Sequence, residues 1–253
     1  MTELLSPAGQ QALQAFVTPS TLFAFDLDGT LAPIVDDPTA ARTPAAVRDA
    51  LRQLSALAVT AVITGRACND ALPRLGFEPR YLVGNHGNEG LPGNDTQGSP
   101  FAELILQWQQ QLQQRMRPES WAALYVEQKG SSLSLHYRHA LQREAVHAQL
   151  LAAIDRLEPV PRRVGGKFVE NLLPPEAPHK GDALLQLIEH SGCTNALFVG
   201  DDVTDEDVFR LDDRRIFTIC VGTQRPTAAA YYLQDQVAMT QALQLMISYL
   251  RRK

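Results

Sequence analysis

Short apolar runs alternate with amphipathic stretches along most of this chain. Runs with strand character occur at residues 22–25, 59–63, 81–83, 196–199 and 216–221. Helical spacing of apolar residues separates most of these runs, most clearly at residues 43–57 and 180–191. This alternation predicts an α/β fold, a doubly wound parallel sheet covered by helices on both faces. Ligands of such sheets bind beyond the carboxyl ends of the strands.

Both helical stretches carry boundary signals. Thr43 and Pro44 predict the N-cap and the first helical residue of one helix. Its apolar stripe consists of Val47, Leu51, Leu54 and Leu57. Gly192 predicts the end of the other helix, because glycine adopts the left-handed conformation that commonly ends a helix.

The pattern changes between residues 99 and 173. An amphipathic helix begins at Ser99-Pro100 after a glycine-rich loop, and a second helix covers about 141–157. The strand-like runs 121–127 and 131–137 flank Lys129-Gly130, and 162–164 and 167–172 flank Gly165-Gly166, so each pair predicts a hairpin. We therefore expect an inserted α-β-β-α-β-β cap domain at 99–173, between core segments 1–98 and 174–253. The alternative is that the insert extends the core sheet.

Composition excludes several classes of protein. A net charge of −5 over 253 residues disfavours nucleic acid or an anionic membrane as a partner. The three cysteines have no C-x-x-C spacing, so we expect neither a disulfide framework nor a zinc site. No signal peptide is visible, and no apolar run approaches the ~20 residues that span a bilayer. We expect a cytoplasmic protein.

The first strand ends in two carboxylates. Asp26 and Asp28 follow the apolar run 22–25, and Gly29 permits a tight turn after them. Side chains two residues apart lie on the same side of a strand, so these carboxylates repel each other unless a cation binds or one is protonated. The pair therefore predicts either a Mg²⁺ site or a nucleophile beside a general acid. A polar turn without chemistry is the alternative.

Three later segments resolve that alternative. Apolar residues lead into Thr64-Gly65-Arg66, Lys180 opens a helix, and the run 197–200 leads into an acidic loop with Asp201, Asp202 and Asp205. In that order, the four segments resemble the motifs of haloacid-dehalogenase (HAD) phosphotransferases. The resemblance covers nearly the whole chain and implies a HAD-like, Rossmannoid core.

The same resemblance implies a role for each motif residue. Asp26 would be the nucleophile that forms an aspartyl-phosphate, and Asp28 would be the general acid and base. The phosphoryl group would be bound by Thr64, Gly65, Arg66 and Lys180, with a surface role as the alternative for Arg66. Mg²⁺ would be bound by the Asp26 carboxylate, the Asp28 carbonyl and Asp201, with Asp202 and Asp205 orienting these groups or Lys180. For residues 205–207, helix capping is the alternative.

Further segments resemble the trehalose-6-phosphate phosphatase family. They are residues 28–34, Gly84-Asn85-His86-Gly87-Asn88-Glu89, Glu127-Gln128-Lys129-Gly130 and Leu135-His136-Tyr137-Arg138. The resemblance implies that a small cap closes over the sugar phosphate, in the last step of trehalose biosynthesis. The sugar contacts it implies are His86, Glu127, Lys129, His136, Arg138 and Glu170.

Strand periodicity gives these cap residues some independent support. Leu133, Leu135 and Tyr137 share one face of a strand, which leaves His136 and Arg138 on the other. A solvated strand face is the alternative. The family pattern of Glu, an aliphatic residue, Arg or Lys, then Pro is also altered. Here the chain reads Glu170-Asn171-Leu172-Leu173-Pro174, without the basic residue and with the spacing shifted by one, and Lys167 is left unassigned.

Other functions remain open from sequence alone. Related phosphatases that act on sucrose phosphate or mannosyl-phosphoglycerate share these motifs, and a phosphomutase would leave the phosphate on its product. A binding module without turnover would have lost a motif carboxylate or the lysine, and both are retained. We expect a small sugar phosphate as substrate, Mg²⁺ as cofactor and a possible functional link to a trehalose-6-phosphate synthase.

Overall fold

The computed structural model describes residues 1–35, 37, 40–93, 100–129, 131–166 and 168–253. The chain forms two compact units, the first from Met1–Asn94 with Pro178–Lys253 and the second from Asp95–Ala177. The predicted boundary at 98/99, Ser99 as a helix start, Gly130 and Lys167 lie outside the described residues. Within the described ranges, no helix is long and apolar enough to cross a membrane.

The elements are numbered in chain order. The strands are β1 (Thr2–Glu3), β2 (Thr21–Phe25), β3 (Thr60–Ile63), β4 (Tyr81–Val83), β5 (Tyr125–Gln128), β6 (Leu133–His136), β7 (Arg162–Gly166), β8 (Val169–Leu173), β9 (Asn195–Gly200), β10 (Ile216–Val221) and β11 (Tyr231–Leu233). The helices are α1 (Pro7–Phe16), α2 (Ala45–Ser55), α3 (Cys68–Leu75), α4 (Ala102–Arg115), α5 (Pro118–Ala122), α6 (Arg143–Ile154), α7 (Lys180–Ser191), α8 (Glu206–Phe209) and α9 (Met239–Leu250).

The first unit is built on a parallel sheet with the strand order β1-β11-β10-β9-β2-β3-β4. Phe23 and Phe25 of β2 belong to one hydrophobic cluster, and Leu22 and Ala24 belong to another. Successive strand residues point to opposite faces, so both faces of this sheet are covered. The predicted α/β, doubly wound fold class is confirmed.

The strand order places a crevice at the carboxyl end of β2. The chain runs outward from β2 to β3 and β4 on one side, and then returns to β9 and β10 on the other. The order therefore reverses between β2 and β9, and such a switch point opens a crevice at the carboxyl ends of the strands. Asp26 and Asp201 follow these two strands directly.

Helix α7 matches its prediction, and two predictions for α2 need correction. Helix α7 covers Lys180–Ser191 and ends at Gly192, which has a left-handed φ of 71° as predicted. Pro44 is the N-cap residue of α2 rather than its first helical residue, and no side chain caps this helix. Leu57 lies beyond the end of α2 and is 37% exposed, so the predicted apolar stripe ends at Leu54.

The second unit has an antiparallel sheet of its own, with the strand order β5-β6-β8-β7. Helices α4 and α6 pack on one face of it, where Trp108 and Leu150 join Leu133, Leu135 and Leu172 in one buried cluster. We call this side the helix face and the opposite side the polar face. The predicted alternation along β6 is confirmed.

Two local predictions for the second unit are wrong. The run 121–127 is not all strand, because α5 occupies Pro118–Ala122 and β5 begins only at Tyr125. Gly165 and Gly166 do not form the second turn, since they pair with Glu170 and Val169 inside the ladder. Phe168, with a φ of 64°, lies at the reversal instead.

Candidate active site

The nucleophile candidate is buried at the first residue after β2. Asp26 is 4% exposed, and its N–H donates to the Val199 carbonyl at 2.8 Å, which continues the pairing of β2 with β9. The chain then turns tightly, because the N–H of Gly29 donates to the Ala32 carbonyl at 2.7 Å. Gly29 has a φ of 84°, a conformation that side chains other than glycine rarely adopt.

Lys180 joins two of the motifs in one buried ion-pair network. Its Nζ lies 3.0 Å from Asp26 Oδ1 and 2.7 Å from Asp205 Oδ1, and the lysine is 1% exposed. Burial alone would lower the pKa of Lys180, but the two carboxylates raise it above its usual range. A cation at the first residue of a helix also opposes the helix dipole. These carboxylates therefore keep a charged lysine at a place that would otherwise disfavour it.

Asp201 approaches the site from β9. Its Oδ1 accepts a hydrogen bond from Thr30 Oγ1 at 2.9 Å. Burial, reinforced by repulsion from Asp205, raises the pKa of Asp201 to about 7. Burial also raises the pKa of Asp26 well above its usual value, although Lys180 opposes this. A Cβ on Gly29 would lie 2.0 Å from Asp201 Oδ2, so only glycine leaves space for this carboxylate.

The described carboxylates that could hold a metal are Asp26, Asp201 and Asp205, whose ligand atoms lie within 4.8 Å of one another. Asp205 is a poor ligand because its oxygens are already used. Oδ1 accepts from Lys180, and Oδ2 accepts from the N–H groups of Asp201 and Asp202, each at 2.8 Å. Asp205 thus orients the lysine and the acidic loop, and Asp26 and Asp201 are the better candidate ligands.

Arg66 contacts the candidate acid. Its Nε and Nη2 donate to the two Asp28 oxygens at 2.6 and 2.7 Å, and its Nη1 donates to Asp70 at 2.8 Å. Such a two-bond pair fixes the orientation of a carboxylate as well as its charge. The sequence predicts that Arg66 binds the phosphoryl group. In this structure its side-chain N–H groups donate to Asp28 and Asp70 instead. Any phosphate contact would compete with these bonds.

Thr64 and Gly65 lie beside the loop that contains His86. Thr64 is 1% exposed, its Oγ1 accepts from the Arg66 N–H at 3.2 Å, and its carbonyl accepts from the His86 N–H at 3.0 Å. A Cβ on Gly65 would lie 2.5 Å from the His86 ring. His86 is therefore packed against the phosphate motif in the first unit. Glu89 of the same loop accepts from the Cys68 N–H at 3.1 Å, at the start of α3.

Three of the sugar-contact candidates form a cluster in the second unit. Glu127 Oε2 lies 3.5 Å from Lys129 Nζ and 3.3 Å from His136 Nε2. Burial lowers the pKa of His136, against the pull of Glu127. Arg138 lies near these residues in sequence, but its guanidinium carbon is 5.4 Å from the centre of the Phe168 ring.

Glu170 is not brought together with that cluster. It pairs with Leu135 across β6 and β8, and directly opposed residues share a face, so it lies on the helix face. There Glu170 Oε1 lies 2.8 Å from His147 Nε2 of α6. Asn171 lies on the polar face opposite Ser134, which itself opposes Glu127. Glu170 lies four residues before Pro174, whereas the family pattern has three. Side chains alternate between the two faces of a strand, so this difference of one residue moves the glutamate to the opposite face.

The sequence does not predict that Arg225 and Glu206 contact the acidic loop. Arg225 donates to the carbonyls of Asp201 and Asp202 at 3.0 and 2.6 Å, and to Glu206 Oε1 at 2.7 Å. Glu206 is buried at 4% exposure. Arg225 follows β10 in a segment without a recognisable motif, so no sequence signal connects it to the acidic loop.

The sequence matches a known protein family. Residues 24–236 match the model of the trehalose-phosphatase family. A trehalose-phosphate phosphatase of Mycolicibacterium paratuberculosis is 36% identical over 194 residues, which are 73% of this chain and 49% of that protein. The chain thus spans about half the length of the curated relatives it matches.

Solved structures show the same fold. The C-terminal domain of trehalose-6-phosphate phosphatase from C. albicans has a TM-score of 0.73 and 21% identity, and the match covers 98% of each chain. A sucrose-phosphatase from Synechocystis, in complex with sucrose and phosphate, has a TM-score of 0.55 and 19% identity. That match covers 90% of this chain and 98% of the other.

Proposed function

The chain belongs to the trehalose-phosphatase family, and on this premise we propose that it is a Mg²⁺-dependent phosphatase that hydrolyses trehalose 6-phosphate to trehalose and phosphate. The observation that carries the proposal is the buried network of Asp26, Lys180 and Asp205, with distances of 3.0 and 2.7 Å, at the carboxyl end of β2. It places a carboxylate and a cation side by side, as attack on a phosphate dianion requires.

Asp26 is the proposed nucleophile. One of its oxygens forms a bond to phosphorus while the bond from phosphorus to the sugar oxygen breaks, which leaves an aspartyl-phosphate. Lys180, 3.0 Å from Asp26 Oδ1, keeps positive charge beside the transferring group. In the second step, a water oxygen attacks the aspartyl-phosphate and releases inorganic phosphate and the free Asp26 carboxylate.

Asp28 is the proposed general acid and base. It gives a proton to the leaving sugar oxygen, and then takes a proton from the attacking water, so it ends as it began. Arg66 holds its carboxylate by two bonds of 2.6 and 2.7 Å, and this fixes the direction in which Asp28 faces. We propose that Thr64 and the Gly65 N–H donate to the phosphoryl oxygens.

The donor set fits Mg²⁺. The Asp26 carboxylate is buried and the Asp201 carboxylate is partly buried. Loss of hydration raises the pKa of both, so a bound cation would relieve the cost of their charge. Gly29 leaves open the space beside Asp201 Oδ2 that a Cβ would fill. We propose that these two carboxylates and the Asp28 carbonyl bind the ion. When bound, Mg²⁺ would supply positive charge to the phosphate oxygens.

The sugar contacts are proposed from the polar face of the second unit and from His86. The Lys129 ammonium and the His136 imidazole each lie within 3.5 Å of the Glu127 carboxylate. Groups of this kind suit a disaccharide with many hydroxyls, because a site built for particular hydroxyls discriminates against sugars that lack them. Glu170 contacts His147 on the other face, so we assign it to the stability of this unit.

The nearest alternative is hydrolysis of another sugar phosphate, such as sucrose phosphate. Release of inorganic phosphate from a panel of sugar phosphates decides between them, with Mg²⁺ and with excess EDTA. We expect the highest kcat/KM for trehalose 6-phosphate, much lower values for glucose 6-phosphate, and loss of all activity in EDTA that Mg²⁺ restores. A preference for sucrose phosphate, or an isomerised sugar phosphate without free phosphate, would contradict the proposal.

A further inference from the structure

The acidic loop after β9 is fixed from its outer side by one arginine. Arg225 makes three hydrogen bonds there, of 3.0 Å to the Asp201 carbonyl, 2.6 Å to the Asp202 carbonyl and 2.7 Å to Glu206 Oε1. Its guanidinium is planar and rigid, so three simultaneous bonds fix the positions of all three acceptors relative to one another. A lysine at this position would offer a single nitrogen on a flexible stem.

The same loop is fixed from its inner side by Asp205. The N–H groups of Asp201 and Asp202 both donate to Asp205 Oδ2 at 2.8 Å. Each of these two residues is therefore held by its N–H on one side and by its carbonyl on the other. These bonds hold the backbone on both sides of the Asp201 Cα and so set the direction of its Cα–Cβ bond. The hydrogen bond from Thr30 Oγ1 to Asp201 Oδ1, at 2.9 Å, then orients the carboxylate.

The support for Arg225 is itself buried. The Glu206 side chain is 6% exposed, and its second oxygen, Oε2, accepts from the Ala228 N–H at 3.0 Å. The Arg225 side chain is 24% exposed. Glu206 thus contacts both Arg225 and Ala228, and a buried carboxylate orients the arginine.

We propose that Arg225 is a positioning residue of the metal site, which sets the affinity for Mg²⁺ by holding Asp201 in its ligating direction. The inference rests on the proposed function, because it takes Asp201 as a ligand. For removal of the Arg225 charge, the proposal predicts weaker Mg²⁺ binding, whereas charge repulsion alone predicts tighter binding. Removing a positive charge near a cation site should tighten cation binding, whereas releasing a ligand should weaken it.

The test measures Mg²⁺ binding to the full chain without substrate, by titration calorimetry after removal of metal with EDTA. In Arg225→Lys the charge is kept and the three-bond contact is lost, so we expect the Kd for Mg²⁺ to rise about tenfold. Arg225→Met should also weaken binding. Arg210→Lys is the matched control, because Arg210 Nε lies 3.8 Å from the same Glu206 but its side chain is 73% exposed. Its Kd should stay within about twofold of the parent value.

Unfolding temperatures without metal separate this role from a merely structural one. A structural role would lower the metal-free unfolding temperature of Arg225→Lys and leave its Kd for Mg²⁺ unchanged, which would overturn the inference. Tighter Mg²⁺ binding by Arg225→Met would overturn it too. If the parent protein binds no Mg²⁺ and releases no phosphate from trehalose 6-phosphate, the proposed function itself fails. If the parent does both and Arg225→Lys binds Mg²⁺ equally well, only the inference about Arg225 fails.

Discussion

The two units differ in how their polar groups are held. In the first unit, Asp26, Lys180 and Asp205 are buried and joined by short contacts beyond the carboxyl ends of β2 and β9. In the second unit, the candidates Glu127 and His136 keep 38% and 32% of their side chains exposed, and Glu170 lies on the opposite sheet face. The candidate catalytic groups are thus positioned by the order of the strands. The candidate sugar contacts depend on side-chain direction, which a shift of one residue in register reverses.

The largest effect should come from the nucleophile. Asp26→Asn is nearly isosteric, so we expect a folded protein, but it removes both the proposed attacking oxygen and a proposed metal ligand. Turnover of trehalose 6-phosphate should fall by at least ~10³-fold. Asp49→Asn is the control, because Asp49 is an exposed residue of α2 that pairs with Arg52 at 3.4 Å. Activity within tenfold of the parent in Asp26→Asn would remove Asp26 from the mechanism.

The next effect should come from Gly29. In Gly29→Ala, a Cβ would lie 2.0 Å from Asp201 Oδ2, so Asp201 must move. We expect kcat/KM to fall about 100-fold and the Kd for Mg²⁺ to rise. Gly192→Ala is the matched control, since Gly192 also has a positive φ, of 71°, but a Cβ there would meet nothing within 4 Å. Equal losses in the two variants would mean that backbone strain, and not the displaced carboxylate, is responsible.

A comparison within the second unit tests the division between its two faces. Glu127→Ala should lower kcat/KM for trehalose 6-phosphate about 10- to 100-fold, because partner groups in the sugar site lose a directed hydrogen bond. Hydrolysis of p-nitrophenyl phosphate, which has no sugar, should change less than about threefold. Equal losses on both substrates would show that Glu127 does not act through the sugar.

Glu170→Gln provides the opposite pattern. Its Oε1 lies 2.8 Å from His147 Nε2 on the helix face, so the change should lower the free energy of unfolding by about 1–2 kcal/mol. We expect kcat/KM for trehalose 6-phosphate to change less than about threefold. Denaturant unfolding and steady-state kinetics measure the two effects. A large loss of kcat/KM for trehalose 6-phosphate, without a matching loss for p-nitrophenyl phosphate, would show that Glu170 contacts the sugar.

The smallest effect concerns pH and the partly buried carboxylate of Asp201. Its pKa rises from 3.8 to about 7, chiefly by burial, so the folded protein keeps a proton that the unfolded chain loses within this window. The stability from this group is therefore complete below pH ~4 and is lost as the pH rises through ~7. If Asp201 binds Mg²⁺ as proposed, the ion offsets that loss. Its effect on the unfolding temperature should then be a few degrees larger at pH 8 than at pH 5. Equal shifts at both pH values, or the same pH dependence in Asp201→Asn, would contradict this account.

The fold and the chemical groups could be predicted from sequence for a physical reason. Parallel strands bring their carboxyl ends to one edge, so the sequence predicts that Asp26, Thr64 and Asp201 lie at the same edge of the sheet. The start of α7 at Lys180 and its end at Gly192 carried equally local signals.

The rest depended on register and on contacts between distant segments. The motif resemblance predicts Glu170 as a sugar contact, although its spacing to Pro174 differs from the family pattern by one residue. That difference puts Glu170 on the helix face of β8. Arg225 contacts Asp201 from 24 residues further along the chain, in a segment with no pattern of its own. The pair of Arg66 with Asp28 spans 38 residues and could not be inferred from either motif alone.

The central claim is that Asp26 carries the phosphoryl group during turnover. Its most direct test is acid quenching of the protein during hydrolysis of trehalose 6-phosphate labelled in the phosphate, followed by peptide mass spectrometry. We expect the label on the peptide that contains Asp26, with the lability to hydroxylamine of an acyl phosphate, more of it in Asp28→Asn and none in Asp26→Asn. Label on a different residue, or full turnover with no labelled protein at any quench time, would contradict the account.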